Sequence, residues 1–176
     1  VPDSRLTLLG EMSNSQKIVS ATIQFTDIGG LVEGAAKGEG LGNRFLAGIR
    51  EVDAIVFVLR AFSDDDVPGP TDPVEHLRIV EVELALADLE TTQKQLSKIE
   101  KVAKSDKSIG QTLDSLKHAS EQLDQGIPIY KSDLISSERE MLSDFFLLTD
   151  KPVLAVVNMG EDQVERTNQI LEPVIA

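Results

Sequence analysis

The 176-residue sequence contains no cysteine, no tryptophan and only two histidines. Without cysteine the chain can form neither disulfide bonds nor thiolate metal sites, and two histidines are too few for a histidine-rich zinc centre. Aromatic residues make up only 4% of the chain, which argues against a surface that binds nucleic acid by stacking bases on aromatic rings. Disulfide-stabilised, zinc-dependent and base-stacking proteins are therefore disfavoured.

Long hydrophobic runs are also missing. No apolar stretch approaches the roughly 20 residues that a helix needs to cross a bilayer, so we expect no membrane partner and a soluble, cytoplasmic protein. The formal net charge is −13, and binding to DNA depends largely on neutralising phosphates. A chain this acidic is therefore not expected to bind DNA. The hydrophobic content of 41% is sufficient for a packed core.

Alternating strand and helix patterns predict an α/β fold. Residues Ala21–Asp27 alternate between apolar and polar side chains, which predicts a strand, while Ala54–Leu59 and Pro152–Val157 are continuous apolar runs typical of buried parallel strands. Helices are expected over Asn43–Arg50 and Asp162–Ile170. Strands that alternate with helices favour a parallel, doubly wound sheet.

A pair of long helices is predicted between the second and third strands. Residues 74–104 contain neither glycine nor proline and are rich in strong helix formers. Apolar residues recur at near-heptad spacing in this stretch and in the next one, at Leu89, Leu96, Ile99 and Ala103 and then at Ile109, Leu113, Leu116 and Leu123. This pattern predicts an antiparallel coiled-coil hairpin that Gly126 ends, followed by a helix over Ser136–Phe146. We expect three regions, 1–72, 73–126 and 127–176.

The first predicted strand ends in an Asp-x-x-Gly pattern, Asp27 to Gly30. GTPase-type enzymes place this pattern at the γ-phosphate, where the Asp holds a water of the Mg²⁺ shell and the backbone N–H of the Gly approaches the phosphate. A glycine-dense loop continues to Gly42. Such a loop can become ordered when nucleotide binds. A strand-end turn followed by a plain flexible loop is the alternative interpretation.

The last predicted strand ends in Asn158, Met159, Gly160 and Glu161. GTPases usually carry Asn-Lys-x-Asp at this place, with the Asp carboxylate accepting two hydrogen bonds from guanine. Glu161 is one methylene longer, and Met159 puts an apolar, polarisable chain in place of the Lys. Asn158 can still donate to and accept from a purine edge. An ordinary polar turn between a strand and a helix is the alternative.

Together these stretches resemble the YchF, or Obg-like ATPase, family of P-loop nucleotide hydrolases. The resemblance is carried in order by residues 27–50 (DIGGLVEGAAKGEGLGNRFLAGIR), 58–62 (VLRAF), 83–89 (ELALADL), 147–152 (LLTDKP) and 158–161 (NMGE). It implies a partial G domain with an inserted coiled-coil hairpin, Mg²⁺-dependent hydrolysis of ATP in preference to or alongside GTP, and association with the ribosome. Asn158, Met159 and Glu161 would then contact the base, and Asp27 and Gly30 would lie at the γ-phosphate and the metal.

The sequence departs from the family in its phosphate-binding and catalytic elements. No G-x-x-x-x-G-K-[ST] motif occurs. The resemblance places that loop upstream of Val1 and a TGS domain beyond Ala176. Residues 66–70 occupy the place of a histidine suspected of aiding hydrolysis, and Leu31 stands where many GTPases keep a water-orienting Gln. No catalytic side chain is therefore identified, and this chain is expected to be inactive by itself.

One local excess of positive charge stands out in the acidic chain. Four lysines recur at three- and four-residue spacing near the expected hairpin tip, at Lys94, Lys98, Lys101 and Lys104. Two interpretations remain open, a solvated helix face and a contact with ribosomal RNA. The function also has an open alternative. Instead of a nucleotide hydrolase, the chain would be a non-catalytic module that binds a ribosomal or protein partner through the hairpin.

Overall fold

The computed structural model of the protein describes residues 2–28, 41–63 and 69–175. Its helices and strands are α1 (Ser4–Met12), α2 (Leu41–Glu51), β1 (Ile55–Arg60), α3 (Pro73–Ala103), α4 (Gly110–Asp124), α5 (Ser136–Leu142), β2 (Val153–Asn158) and α6 (Thr167–Ile175). Short 3-10 segments lie at Lys107–Ile109, Ile129–Lys131, Ser143–Phe145, Leu148–Asp150 and Glu161–Arg166. The fold is thus mixed α/β with long helices.

The two strands β1 and β2 pair in parallel. Ile55 lies opposite Val153, Arg60 lies opposite Asn158, and the Ala61 N–H extends the ladder by donating to the Asn158 carbonyl at 2.8 Å. Both strands are where the apolar runs predict them, displaced by one residue. Because α3, α4 and α5 all lie between β1 and β2 in sequence, the crossover from β1 to β2 contains these three helices.

Only one face of this sheet is covered by the described helices. The side chains of Ile55, Phe57 and Leu59 are buried against α2 and α3, whereas Val58 and Leu154 are 62% and 60% exposed. The continuous apolar runs predicted strands buried on both faces. Among the described residues, that prediction is wrong. The helices α2 and α3 pack on the same side of β1, and the other face of the sheet stays exposed.

The predicted helical pair is present as α3 and α4. The Asp72 carboxylate caps α3 by accepting a hydrogen bond from the Val74 N–H at 2.9 Å, and Pro73 occupies the first turn, where its missing N–H costs nothing. At 1.5 Å per residue, the 31 residues of α3 extend about 46 Å. The 15 residues of α4 extend about 22 Å, so α4 pairs with only part of α3.

The long helix α3 contributes to two hydrophobic clusters. Its N-terminal half packs with β1 and α2 through Leu77, Val80, Leu84 and Ala87. On another side of the helix and further along it, from Ala85 to Ile99, the residues Ala85, Leu89, Leu96 and Ile99 belong to a second cluster with the buried Leu116, Ala119 and Leu123 of α4. A single helix therefore joins the sheet to the hairpin. The division into regions 1–72, 73–126 and 127–176 stays a prediction.

Polar contacts hold α4 to the segment that follows it. The His118 imidazole lies between two carboxylates, 2.9 Å from Glu138 and 3.0 Å from Asp133. The hydrogen bond to Glu138 and the two negative charges raise the pKa of His118 above its ordinary value. Nearby, the Tyr130 hydroxyl donates to the Glu81 carboxylate of α3. The His118–Glu138 contact therefore fastens α4 to α5, and the Tyr130–Glu81 contact fastens α3 to the 3-10 segment Ile129–Lys131.

The predicted strand Ala21–Asp27 is not observed. Residues 13–28 form neither helix nor strand, and Ile23 and Phe25 are 68% and 79% exposed. A strand requires a neighbour to receive its backbone hydrogen bonds. In the described ranges the only sheet ladder joins β1 to β2, so alternation alone did not determine the structure of this segment.

Two predicted helix boundaries also need correction. The helix expected over Ser136–Phe146 is α-helical only to Leu142 and continues as the 3-10 turn Ser143–Phe145. That turn ends at Phe146, whose backbone is left-handed with φ of +51°. The helix expected over Asp162–Ile170 starts as a 3-10 turn at Glu161 and becomes α-helical only at Thr167. Among the residues described, no helix has the length and apolar character needed to span a membrane.

Candidate functional site

The segment Asn158–Glu161 leaves the sheet at the carboxyl end of β2. This is the edge at which open parallel α/β sheets bind ligands. Asn158 and Glu161 are exposed, and Met159 is half-buried. The three side chains predicted to contact a base are therefore brought together at one edge of the sheet, and two of them face solvent.

A hydrogen-bonded ring fixes the backbone of this segment against the end of β1. The Ala61 N–H donates to the Asn158 carbonyl at 2.8 Å. The Gln163 side-chain amide then bridges two backbone groups beyond this bond. Its Nε2 donates to the Ala61 carbonyl at 2.6 Å, and its Oε1 accepts from the Gly160 N–H at 2.9 Å. The turn after β2 is thus tied to the neighbouring strand by a side chain as well as by the sheet.

The Met159 side chain has a contact of its own with α6. The Thr167 hydroxyl lies 3.7 Å from the Met159 sulfur and donates to the Val164 carbonyl at 2.6 Å. Thioethers are weak acceptors, so this contact orients the side chain more than it stabilises the fold. It holds an apolar, polarisable group beside Asn158.

The end of β1 is tied to the loop that follows it. The Arg60 guanidinium donates to the Gly69 carbonyl at 2.6 Å and to the Pro70 carbonyl at 3.3 Å. It also lies 5.7 Å from the centre of the Phe62 ring. Gly69 has φ of +107°, a conformation that favours glycine. The loop before α3 is therefore drawn back towards the same edge of the sheet as Asn158.

The second predicted element, Asp27 to Gly30, is only partly described. The Asp27 side chain is exposed, and its neighbour Ile28 packs on the hydrophobic cluster below β1 and against Gly48 of α2. Ile28 therefore anchors Asp27 beside α2. Gly30, Leu31 and residues 66–68 lie outside the described residues.

The metal prediction rests on Asp27 alone. Residues 2–28, 41–63 and 69–175 contain no group of three or more His, Asp or Glu side chains that would form a metal site. Mg²⁺ in nucleotide sites is held by one or two protein oxygens, several waters and the phosphates. A single exposed carboxylate fits a contact through water in such a site and would not by itself retain the ion.

The start of β2 is held by a buried carboxylate that sequence reasoning missed. Asp88 of α3 is 1% exposed, and its carboxylate accepts hydrogen bonds from the Leu148 N–H at 2.9 Å, the Thr149 N–H at 2.7 Å and the Thr149 hydroxyl at 2.7 Å. The Thr149 hydroxyl in turn accepts from the Ile129 N–H at 3.1 Å. Burial raises the pKa of Asp88, and these hydrogen bonds oppose the rise.

The four hairpin lysines are all exposed on the second half of α3 and its C-cap. Lys94 forms an ion pair with Glu90 one turn earlier, at 2.5 Å. Residues 90–107 contain five lysines and three acidic residues, so this part of α3 is locally positive in a chain of net charge −13. The structure agrees with both interpretations, a solvated face and a contact surface.

Of the two residues that sequence reasoning missed, Asp88 and Gln163, only Asp88 has a signal in the sequence. Asp88 interrupts an otherwise apolar helical run, which is how a buried and hydrogen-bonded carboxylate appears in a sequence. Gln163 carries no such signal, because a polar residue after a strand looks like any solvated loop residue. Only the position of Ala61 in space reveals its role.

Comparison with known proteins gives a consistent result. A sequence model of the family described as "50S ribosome-binding GTPase" matches residues 9–159. The ribosome-binding ATPase YchF of Bacillus subtilis is 42% identical over 168 residues, which cover 93% of this chain and 46% of the relative. Obg-like ATPase 1 of Oryza sativa subsp. indica is 39% identical over 180 residues, covering 99% of this chain and 46% of the relative.

A solved structure agrees with these sequence matches. The Schizosaccharomyces pombe YchF GTPase superimposes with a TM-score of 0.73 at 35% identity, over 99% of this chain and 49% of the solved chain. The chain thus spans about half the length of the relatives that it matches. The match includes the two-stranded parallel sheet and the long helices.

Proposed function

This chain belongs to the YchF/Obg-like ATPase family, and we propose that it forms the base-binding and hairpin part of a ribosome-associated nucleotide hydrolase. The observation that supports this most directly is the segment Asn158–Glu161, which leaves the carboxyl edge of the parallel sheet with Asn158 and Glu161 exposed. The relatives are named ribosome-binding ATPases. A cytoplasmic, ribosome-bound protein follows from the same proposal.

We assign ATP, with GTP as the weaker alternative, to the base-binding segment. Asn158 would donate to and accept from the purine edge, and Met159 would lie against its face. Glu161 would extend one methylene further than the aspartate that pairs with guanine, so its carboxylate would miss the two guanine donors. A site that loses such a pairing gives up about 1–3 kcal/mol for the groups left unpaired.

Hydrolysis in this proposal depends on positioning and charge rather than on a catalytic side chain. Asp27 would hold a water in the Mg²⁺ shell, and the backbone N–H of Gly30 would face the γ-phosphate. Bound Mg²⁺ would supply positive charge to the phosphate oxygens during attack by water. The sequence contains no G-x-x-x-x-G-K-[ST] motif, whose backbone N–H groups bind the β-phosphate in P-loop proteins. These 176 residues alone should therefore not hydrolyse ATP.

Calorimetry tests the nucleotide assignment directly. We expect the 176-residue chain to show negligible ATP affinity and the full-length protein to bind ATP. Micromolar binding by the short chain would contradict the reliance on a separate phosphate-binding loop. Absence of ATP binding by the full-length protein would refute the proposed function itself.

Base preference is tested by a double substitution in the full-length protein. Met159→Lys with Glu161→Asp restores the Asn-Lys-x-Asp pattern and should shift the ratio of ATP to GTP affinity towards GTP, by about tenfold for each 1.4 kcal/mol gained. Glu165→Asp, at an exposed position of the same 3-10 segment, is the matched control. An unchanged ratio in the double variant would show that base choice is set elsewhere.

We further propose that Lys94, Lys98, Lys101 and Lys104 contact ribosomal RNA. The supporting observation is their exposure on one part of α3, in a locally positive stretch of an acidic chain. Such an arrangement would orient the hairpin towards RNA and keep the acidic remainder away. If the full-length protein binds ribosomes through these lysines but hydrolyses no nucleotide, the alternative of a non-catalytic interaction module is correct.

Co-sedimentation with ribosomes tests the lysine contact. Lys98→Glu with Lys101→Glu should lower the bound fraction and flatten its salt dependence, because each lost phosphate contact removes about 0.7–0.9 from the log–log slope. Lys17→Glu with Lys117→Glu makes the same charge change at exposed positions that are not among the four lysines. Equal losses in both double variants would indicate a general charge effect and refute the specific contact.

A further inference from the structure

The Gln163 side chain ties the Asn158–Glu161 turn to the neighbouring strand β1. Its amide accepts from the Gly160 N–H at 2.9 Å and donates to the Ala61 carbonyl at 2.6 Å. These two backbone groups come immediately after the last bond of the β1–β2 ladder, from the Ala61 N–H to the Asn158 carbonyl. The side chain thus continues the ladder at the point where β2 turns away from β1.

Few side chains could make this pair of hydrogen bonds. The Gly160 N–H requires an acceptor and the Ala61 carbonyl requires a donor, and a primary amide offers both at fixed separation. A glutamate at position 163 would keep the acceptor and place a carboxylate oxygen against the Ala61 carbonyl. An alanine would lose both contacts and leave the turn joined to β1 only through the ladder.

The contact matters because the side chains it positions are exposed. Asn158 and Glu161 are not held by packing, so their directions depend on the backbone between them. Gly160, in the middle of that backbone, offers no side chain for packing. If the turn is already ordered, binding of a ligand does not carry the entropic cost of ordering it.

We propose that Gln163 is a positioning residue for nucleotide-base recognition, acting through the backbone of Gly160 and making no contact with the nucleotide itself. This inference rests on the proposed function, because it needs Asn158–Glu161 to bind a base. It adds a residue outside the Asn-x-x-Glu pattern. It also predicts a specific selectivity, since a change at Gln163 should affect binding of the base and leave binding of the phosphates unaltered.

The test compares two ligands in the full-length protein. ATP presents both base and phosphates, whereas inorganic tripolyphosphate presents phosphates alone. We expect Gln163→Ala to weaken ATP binding about fivefold to thirtyfold, as befits the loss of two hydrogen bonds, while tripolyphosphate affinity stays at the wild-type value. Gln163→Glu should give an intermediate loss, because it keeps the acceptor for Gly160.

A matched control and a kinetic readout complete the test. Gln169→Ala deletes the same side chain at an exposed position of α6 and should bind both ligands as wild type does. In steady-state assays Gln163→Ala should raise KM for ATP more than it lowers kcat, which indicates lost binding in both ground and transition states. Thermal unfolding of each variant shows whether the fold is intact.

Three results would overturn the inference, and they are distinguishable. Unchanged ATP affinity in Gln163→Ala would show that the turn is positioned without the amide. Equal loss of ATP and tripolyphosphate affinity would assign Gln163 a general structural role. If the wild-type protein binds tripolyphosphate but not ATP, the base-binding proposal itself fails, and the inference fails with it.

Discussion

Removing the carboxylate of Asp88 should destabilise the fold more than any loss of a surface charge. Asp88 lies on α3, yet its three hydrogen-bond donors belong to residues 148 and 149, just before β2. Asp88→Ala would leave the Leu148 N–H, the Thr149 N–H and the Thr149 hydroxyl without their acceptor. All three groups are buried, since Leu148 and Thr149 are both 0% exposed.

The magnitude follows from these three donors. Each buried donor left unsatisfied costs about 1–3 kcal/mol, so the sum is at least about 3 kcal/mol if the segment does not rearrange. Removing the carboxylate also removes the free-energy cost of burying its charge, which is the cost that raises the pKa of Asp88, and this offsets part of the loss. We therefore expect a loss of about 3 kcal/mol in the free energy of unfolding. Asp88→Asn should cost about 2 kcal/mol, because its oxygen can serve Thr149 while its NH₂ group opposes the Leu148 N–H.

Urea and thermal unfolding, followed by circular dichroism, measure this loss. For a domain of this size, about 3 kcal/mol corresponds to a fall in Tm of roughly 6–12 °C. Asp114→Ala, at an exposed position of α4, is the control and should stay within about 0.5 kcal/mol of wild type. If Asp88→Ala were as stable as the control, the carboxylate would not be holding the two segments together.

Two smaller predictions concern the hairpin and its base. The hydrogen bond to Glu138 raises the pKa of His118, so the stability that protonated His118 contributes is complete below pH about 6.5 and is lost as pH rises through the raised pKa. Denaturation curves should therefore show His118→Gln to be more destabilising at pH 6 than at pH 9, and an equal effect at both would contradict this. Gly126 ends the hairpin with φ of +76°, so Gly126→Ala should cost about 1 kcal/mol or more in urea unfolding through backbone strain. Gly110→Ala, at the start of α4, lacks that strain and should not destabilise; equal losses in both would refute the explanation.

Local patterns were sufficient to predict the elements whose determinants are local. The strands β1 and β2 were predicted from apolar runs, and α3 was predicted from residues 74–104, which contain neither glycine nor proline. Residues 21–27 show the limit of this reasoning. Their alternation is typical of a strand, but a strand also needs a neighbour, and among the described residues only β1 and β2 pair. Pairing is a property of the whole fold and cannot be read from one segment.

The residues of the candidate site were likewise only partly predictable from the sequence. The segment Asn158–Glu161 could be found because it directly follows a predicted strand and is similar to the Asn-Lys-x-Asp pattern. In the structure it follows β2 at the edge of the sheet. Asp27 is described beside α2, while Gly30 stays a prediction. Gln163 could not be found from sequence, because its partner Ala61 is distant along the chain.

The short segment Leu148–Asp150 explains how the hairpin and the site become parts of one structure. Its backbone binds Asp88 of α3, and the Thr149 hydroxyl accepts from the Ile129 N–H after α4. The next residue, Lys151, donates to the carbonyls of Arg50 and Val52 at the end of α2, at 3.2 and 2.6 Å. From there the chain enters β2, which ends at Asn158. A displacement of α3 relative to the sheet would therefore have to break buried hydrogen bonds at the start of the strand that leads to the candidate base-binding turn.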